Sequence, residues 1–350
     1  MSVRMDRCSL NRRHSWNGHV CVIPSYDPCE IGTDMVFSLR RRLLALVLVT
    51  VWVGELVAFV DIATGEKQYQ LHYADRPANT STNRVYSFAV HPLHNPMRLF
   101  SKYQPLLDLI NEQVEGFSLK LVTSRDYPTY DQRLYMGRFH FALPNPLQTL
   151  ASQSHGYHII GKMGDDHIFR GIIVMRRDSH VMFVEDLDHA ALSFPAPTAL
   201  AATIMPKYFL QTRGLNLENN DIRYVGSQES AIMNVYMGKT AAAGTWPLPW
   251  ELLLSSRPEL SEVLEVKWMT PSLVNNGLVV RNDVPADHVQ QVMKVLLDLP
   301  TYSRGREILD RIHISCFETA SSISYEPVRE FLSDYYRLFP NEQPIQGKSR

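Results

Sequence analysis

Cysteine is scarce in the part of the chain that is expected to fold. The chain has 350 residues and 4 cysteines, namely Cys8, Cys21, Cys29 and Cys316. Only Cys316 follows the apolar segment near the N-terminus, so the body of the chain has no second thiol with which to close an internal disulfide. We interpret Cys316 as an inert thiol, and a ligand-binding or redox thiol is the alternative.

The chain also lacks an excess of charge of either sign and lacks the motifs of common enzymes. Its formal net charge is -1, so no basic surface predicts nucleic-acid binding and no acidic surface predicts a polycationic partner. It contains no G-x-S-x-G nucleophile motif, no Walker phosphate loop and no H-E-x-x-H zinc motif. We therefore expect a protein that is not an enzyme, uses no cofactor and binds no nucleic acid.

A pair of histidines, His91 and His94, has the H-x-x-H spacing of some metal sites. Zinc sites need three or four ligands, and no cysteine or carboxylate partner is obvious nearby. We interpret the pair as part of a loop that faces a cleft or solvent. A metal site is the alternative, and we expect none.

A long apolar run is present near the N-terminus. Three arginines precede residues 43–60, which are mostly apolar. Because positively charged residues beside an apolar segment stay on the cytoplasmic side, these arginines predict that everything after Val60 is exported to the periplasm. The run is near the lower limit for a spanning helix and slightly long for a signal peptide. We therefore expect residues 35–60 to be a signal sequence or a transmembrane anchor in the inner membrane, after a poorly structured extension over 1–34.

Beyond a polar linker over 61–83, the chain has the composition of a folded protein, with 45% hydrophobic and 20% charged residues. Short β-branched runs alternate with amphipathic segments, which predicts α/β architecture. We expect two lobes, each a mostly parallel sheet flanked by helices. Lobe 1 comprises 84–173 and 270–350, and lobe 2 comprises 174–269. Strands 169–176 and 264–269 are the predicted crossings between them.

Several short motifs follow one another in an order that is similar to a known family. In chain order they are Val90-His91-Pro92 with Asn95-Pro96, Arg125-Asp126-Tyr127, Gly137 to Ala142, and Gly171 to Ser179. From about Val85 to Leu338 the chain resembles the phosphate/phosphite/phosphonate-type periplasmic substrate-binding proteins of ABC transporters. The resemblance implies a type II-like periplasmic-binding-protein fold, a small-molecule ligand in an interlobe cleft, and an ABC permease as partner.

The sequence departs from the family at the anion-binding segment. There the family has Ser-Thr-Ser-Gly at a helix N-terminus, whose hydroxyls and free N–H groups hold the phosphorus group. Here the matching residues are Ala199-Leu200-Ala201-Ala202, and Thr198, which we expect to cap a helix over 198–213, is the nearest hydroxyl. The departure predicts a ligand that is less charged, larger or more apolar than a phosphonate, or a loss of small-molecule binding.

The predicted ligand-binding residues are those that follow predicted strands or match the family's site. In open α/β sheets ligands collect at strand ends, and aromatic walls with a few amides suit a pocket. The alternative is that Tyr127 and Trp246 pack at a lobe edge and that Asn145 is a turn residue. The full set is Tyr127, Asn145, Thr198, Ala199, Leu200, Ser227, Gln228 and Trp246.

Two functions from different classes fit these observations. The first is an extracytoplasmic solute-binding protein that captures a small, phosphonate- or oxyanion-like ligand, or a changed ligand, and delivers it to an ABC permease. The second is a membrane-anchored sensory or accessory subunit that keeps the fold and contacts a histidine kinase or a redox partner. Retention of the N-terminal segment would favour the second.

Overall fold

The computed structural model describes residues 83–343. The predicted extension over 1–34, the signal or anchor over 35–60 and nearly all of the linker lie outside the described residues. Within the described range, none of the helices is both long enough and apolar enough to cross a bilayer.

The first lobe is built on a six-stranded sheet with the strand order β11-β4-β10-β3-β1-β2. Its strands are β1 (Arg84–Val90), β2 (Phe117–Val122), β3 (Phe141–Leu143), β4 (Tyr157–Met163), β10 (Gly277–Arg281) and β11 (Phe317–Thr319). Its helices are α1 (Pro96–Gln113), α2 (Tyr127–Tyr135), α3 (Pro146–Ser152), α8 (Ala286–Asp298), α9 (Ser303–Ile312) and α10 (Glu326–Leu338).

Each parallel strand of the first lobe is followed by a helix that begins in the same way. The side chains of Asn95, Asp126 and Asn145 cap α1, α2 and α3, each accepting a backbone N–H bond at 2.8–3.0 Å. A proline occupies the first or second helical position in all three helices, where its missing N–H costs nothing. These caps place three helix N-termini at the carboxyl edge of the sheet.

The second lobe is built on a five-stranded sheet with the order β7-β6-β8-β5-β9. Its strands are β5 (Arg170–Arg176), β6 (Ala191–Phe194), β7 (Asp221–Tyr224), β8 (Ala242–Thr245) and β9 (Leu264–Ser272). A π-helical turn (Leu200–Ile204) continues into α4 (Met205–Thr212), and α5 (Gln228–Tyr236), α6 (Pro247–Ser256) and α7 (Leu260–Val263) follow.

Burial on both faces explains the nearly continuous apolar run in β5. Ile172 and Val174 enter one apolar cluster of the second lobe, while Ile173 and Met175 enter the other. Because successive side chains of a strand point to opposite faces, a strand that is covered on both sides must be apolar throughout. Strand β5 is therefore the centre of this lobe's core.

The α/β class and the two-lobed arrangement are confirmed, but the sheets are mixed and not mostly parallel. Within residues 83–343, four strand pairs are parallel and five are antiparallel. The reason is the path between the lobes: β5 enters the second sheet and β9 leaves it, so the two strands run in opposite directions side by side. After the return, β10 runs against β3 and β4.

Three elements were missed in the sequence, namely α6, α7 and β11. The run Pro247–Ser256 contains two early prolines and a block of leucines, so it lacks a clear period of 3.6 residues. Strand β11 has only 3 residues, which is too short for a periodic pattern. Helix α6 buries Leu248, Trp250 and Leu253, and β11 forms by pairing with β4.

The π-helical turn lies directly against the second sheet. A Cβ atom on Gly244 would come 2.2 Å from the carbonyl oxygen of Ala202, and one on Gly171 would come 2.7 Å from the carbonyl oxygen of Ala201. Real Cβ atoms do not approach backbone oxygens so closely, so these two glycines set the distance between the turn and the sheet.

Gly244→Ala is expected to lower the free energy of unfolding by about 3 kcal/mol, because the new methyl group meets a backbone atom that cannot turn aside. Denaturant unfolding measures the loss. Gly238→Ala is the control, since it adds the same methyl group at φ +68° with no atom within 4 Å, and should cost about 1–2 kcal/mol from the left-handed backbone alone. Equal losses in the two variants would contradict the close contact.

Candidate functional site

The carboxyl ends of parallel strands from both sheets meet in one cleft. Eight chain segments contribute to it, three from each lobe and one from each crossing. The space between them is about 10 Å³, which is about the room that one water molecule needs. The lining residues are His91, Tyr127, Asn145, Phe169, Ala199 to Ala202, Gln228, Trp246 and Asn276.

The structure brings most of the predicted ligand-binding residues to this cleft. Tyr127, Asn145, Ala199, Leu200, Gln228 and Trp246 all line it. Thr198 contacts Asn145 at its edge, and Ser227 lines a neighbouring pocket together with Gln228. Their convergence is therefore a property of the fold, and their role in ligand binding stays a prediction.

Four polar side chains connect the two lobes through a closed set of hydrogen bonds, which we call the interlobe ring: Asp131, Asn145, Gln148 and Thr198. The Asn145 amide donates to the Thr198 carbonyl at 2.8 Å. The Thr198 hydroxyl donates to Oδ2 of Asp131 at 2.9 Å, and the Gln148 amide donates to its Oδ1 at 2.5 Å. Asn145 and Gln148 complete the ring through a reciprocal capping box.

The helix cap predicted at Thr198 is wrong. The first residues of that helix form a π-helical turn with Ala199 at the N-cap position and no capping side chain. Thr198 cannot cap it because its hydroxyl is bonded to Asp131 in the other lobe. A tertiary hydrogen bond thus replaces the local one that the sequence suggested.

The Asp131 carboxyl group titrates near neutral pH because it is largely buried. Burial raises its pKa from 3.8 to about 6, and the hydrogen bonds from Thr198 and Gln148 offset part of that rise. The ring therefore holds a carboxylate that is close to its protonation point in mildly acidic solution.

Tyr127, Gln228 and Thr245 bring a second polar contact across the cleft. All three are buried, and the Thr245 hydroxyl donates to Oε1 of Gln228 at 2.9 Å. Burial raises the pKa of the Tyr127 hydroxyl, and the adjacent Gln228 side chain offsets part of the rise. The phenol is thus neutral and able to donate a hydrogen bond at physiological pH.

Aromatic rings and a neutral histidine close the rest of the cleft. Trp246 packs against Phe169 with ring centroids 5.5 Å apart. His91 bonds the Leu143 carbonyl through Nδ1 at 3.0 Å, and burial lowers its pKa to about 4. Among residues 83–343, no three or more His, Cys, Asp or Glu side chains are grouped closely enough to hold a metal ion.

The segment that replaces the family's hydroxyl motif is an apolar plug. Ala199, Leu200, Ala201 and Ala202 are each at most 4% exposed. Together with Trp246 they join one continuous apolar cluster with the core of the first lobe. In this turn, methyl and isobutyl groups stand at the sequence positions that match the family's hydroxyls.

Asp131, Gln148 and Asn276 were missed in the sequence. Asp131 and Gln148 lie inside helices α2 and α3, where a single polar residue carries no signal of its own. The repeated Asx-Pro helix start after each parallel strand is the signal that could have pointed to these helices. Asn276 precedes β10 and lies fully buried beside the cleft.

Two α/β lobes, two adjacent crossing strands and a cleft between strand ends define the class of two-lobed binding proteins. A sequence profile of the phosphonate periplasmic substrate-binding proteins of ABC transporters matches residues 88–325. The chain belongs to this family, which confirms the resemblance drawn from the short motifs and implies a periplasmic location.

Individual relatives agree with this assignment. A probable ABC transporter phosphite-binding protein of Prochlorococcus marinus, PhnD1, is 23% identical over 186 residues, which are 49% of this chain and 63% of that protein. The match thus spans less than two thirds of the relative's length.

Solved structures show the same fold. The structure of PhnD1 from Prochlorococcus marinus in complex with methylphosphonate has a TM-score of 0.66 at 18% identity, covering 73% of this chain and 98% of that one. A binding protein component of an ABC phosphonate transporter from Pseudomonas aeruginosa has a TM-score of 0.68 at 16% identity, covering 76% and 91%.

The pKa of Asp131 predicts a pH-dependent difference between wild type and Asp131→Asn. Folding raises the pKa from 3.8 to about 6, so the folded state holds the proton more tightly than the unfolded state between these values. Wild-type stability should therefore fall relative to the variant as pH rises from about 4 to about 6.5. The change should be at most about 3 kcal/mol, since one pKa unit corresponds to about 1.4 kcal/mol.

Denaturant unfolding of both proteins across this pH range measures the difference. Asp188→Asn, an exposed aspartate of the second lobe, controls for general charge effects. A stability difference between wild type and Asp131→Asn that is constant with pH would show that the ring does not perturb the carboxyl group.

Proposed function

We propose that this protein is an extracytoplasmic solute-binding protein that captures a small ligand between its lobes and delivers it to an ABC-type permease. Family membership over residues 88–325 supports the proposal. We further propose that residues 43–60, outside the described range, deliver the body to the periplasm as a signal sequence or an inner-membrane anchor.

The observation that carries the proposal is the meeting of helix N-termini and aromatic side chains from both lobes at one cleft. Tyr127 and Asn145 come from the first lobe, and Gln228 and Trp246 from the second. A ligand that contacts both sets binds the closed arrangement more tightly than an open one, and so shifts the equilibrium towards closure. Such a shift is the signal that a permease can read.

The proposed ligand is a small oxyanion-like solute. The relatives are described as phosphite- or phosphonate-binding. The turn over Leu200–Ile204 offers backbone donors but no hydroxyls beyond Thr203, whose own hydroxyl donates to the Ala196 carbonyl at 2.8 Å. The contacts with the anion must therefore differ from those of the family's Ser-Thr-Ser-Gly segment.

The tight cleft favours a second candidate, a sensory or accessory subunit that works without a solute. The 10 Å³ space and the interlobe ring hold the lobes together through protein contacts alone. In this function the closed form would be the resting form, and a membrane partner would contact it directly.

Ligand titration distinguishes the two functions. A solute at 1,000 times its Kd should stabilise the protein by about 4 kcal/mol, because only the folded state binds it. Thermal unfolding in the presence of phosphite, methylphosphonate, phosphate, sulfonates and small carboxylates measures this shift. Small-angle scattering on any hit should show a compact, closed particle. No shift with any member of the panel would favour the accessory subunit.

Restoring the family's hydroxyls should raise the affinity for phosphonates. In the triple variant Ala199→Ser, Leu200→Thr, Ala201→Ser, the new hydroxyls give this turn an anion-binding site that it lacks in wild type, and the loss of the leucine side chain opens space for the anion. Hydrogen bonds to charged groups contribute about 1.5–3 kcal/mol each, so we expect at least about a tenfold gain for methylphosphonate.

Calorimetric titration measures that gain. Leu200→Val is the matched control, because valine has the shape of threonine without its hydroxyl. The triple variant should also be less stable than wild type when no ligand is present, since its new hydroxyls are then buried without partners. An equal gain in Leu200→Val would mean that space, and not hydrogen bonding, limits phosphonate binding.

A further inference from the structure

A second and larger pocket lies beside the tight cleft. It has a volume of about 130 Å³ and is lined by the loop after β1 and the N-terminus of α5, and so by both lobes. An engineered cavity of about 150 Å³ holds a benzene molecule, so this pocket has room for a small organic molecule. The space at Ala199 to Ala202, about 10 Å³, does not.

Two guanidinium groups line this pocket. Within residues 83–343, Arg98 has no carboxylate within 4.0 Å, while Arg125 is paired with Asp126 at 3.0 Å and keeps 83% of its side chain exposed. Guanidinium groups bind carboxylate, phosphonate and sulfonate oxygens through paired hydrogen bonds. The pocket is therefore lined by two arginines whose positive charges are only partly paired with carboxylates of the described residues.

An imidazole of the same pocket has an unused hydrogen-bonding atom. Nε2 of His94 is buried and has no hydrogen-bond partner within the described residues. Burial and the charges of Lys102 and Arg98 lower the His94 pKa, which marks a positive local field. Because this nitrogen exposes less than 1 Å², a ligand in the pocket does not reach it, and His94 acts as a neutral part of the pocket wall.

The N-terminus of α5 adds backbone donors at the opposite wall. This helix has 9 residues and is capped by Ser227, which accepts from the Ser230 N–H at 3.1 Å. The cap leaves the N–H groups of Gln228 and Glu229 at the positive end of the helix dipole. The Glu229 carboxylate lies at the exposed rim, where it disfavours a ligand with a high negative charge.

We propose that the oxyanion group of the solute binds in this pocket, between Arg98, Arg125 and the N-terminus of α5, and not at Ala199 to Ala202. This inference rests on the proposed solute-binding function and moves the charge-recognition site of that function to a new place in the cleft. The ligand class is a small organic molecule with one phosphonate, sulfonate or carboxylate group.

Calorimetric titration of the purified full-length protein with methylphosphonate, methanesulfonate and acetate tests the inference. Arg98→Gln should weaken binding of the preferred probe by at least about tenfold, because a charge-assisted hydrogen bond is lost. Arg125→Gln should weaken it less, since Asp126 already occupies part of that guanidinium. Arg138→Gln, an exposed arginine without an acidic partner in the described residues, is the control and should bind as wild type does.

Tyr127→Phe separates the two locations. If binding is weakened by Tyr127→Phe and unchanged in both arginine variants, the anion lies in the tight cleft; the inference is then wrong and the proposed function stands. If none of the probes binds wild type, the proposed capture of small oxyanions is wrong as well. Circular dichroism of each variant verifies folding, and the preference among the three probes identifies the oxyanion.

Discussion

The pairing of the two crossing strands is the constraint on which the rest of the structure depends. Strands β5 and β9 run side by side in opposite directions, and the Leu273 N–H continues the contact by donating to the Phe169 carbonyl at 2.9 Å. Asn275 joins the same junction, with its amide donating to the Gly164 carbonyl at 2.7 Å. Because both crossings are fixed at one place, the carboxyl edges of the two sheets must lie opposite each other.

The cleft that results combines tight apolar packing with a few hydrogen-bonded polar groups, while Oδ1 of Asn276 is buried there without a partner among the described residues. The apolar plug removes water from the contact, and in that low-dielectric setting each bond of the interlobe ring is stronger, while an unpaired group would be costly. The raised pKa of Asp131 shows the electrostatic cost of burying a carboxylate there. Closure through direct protein contacts limits the space for a ligand, and the 130 Å³ pocket next to the cleft offers it instead.

Local sequence patterns predicted the elements well where a short pattern decides the structure. Three such patterns are the β-branched and aromatic run of Arg84–Val90, the Ser227 cap of α5 and the amphipathic face of Ala286–Asp298, and a strand or helix forms at each. Local patterns did not predict the structure where contacts between residues far apart in the chain determine it. Thr198 turned towards Asp131, and Pro247–Ser256 became helical without clear periodicity. The same holds for the site: residues next to strand ends were found, while Asp131 inside a helix was not.

The sequence by itself determined the α/β class, the two crossings, the family and the loss of hydroxyls at Ala199 to Ala202, because each of these depends on residue type and order along the chain. The tertiary structure alone decided the mixed pairing of the sheets, the interlobe ring and the pocket at Arg98. These depend on distances between residues that are far apart in the chain, such as Thr198 and Asp131, which are separated by 67 positions. Such distances are set by how two lobes pack, and no local pattern records them.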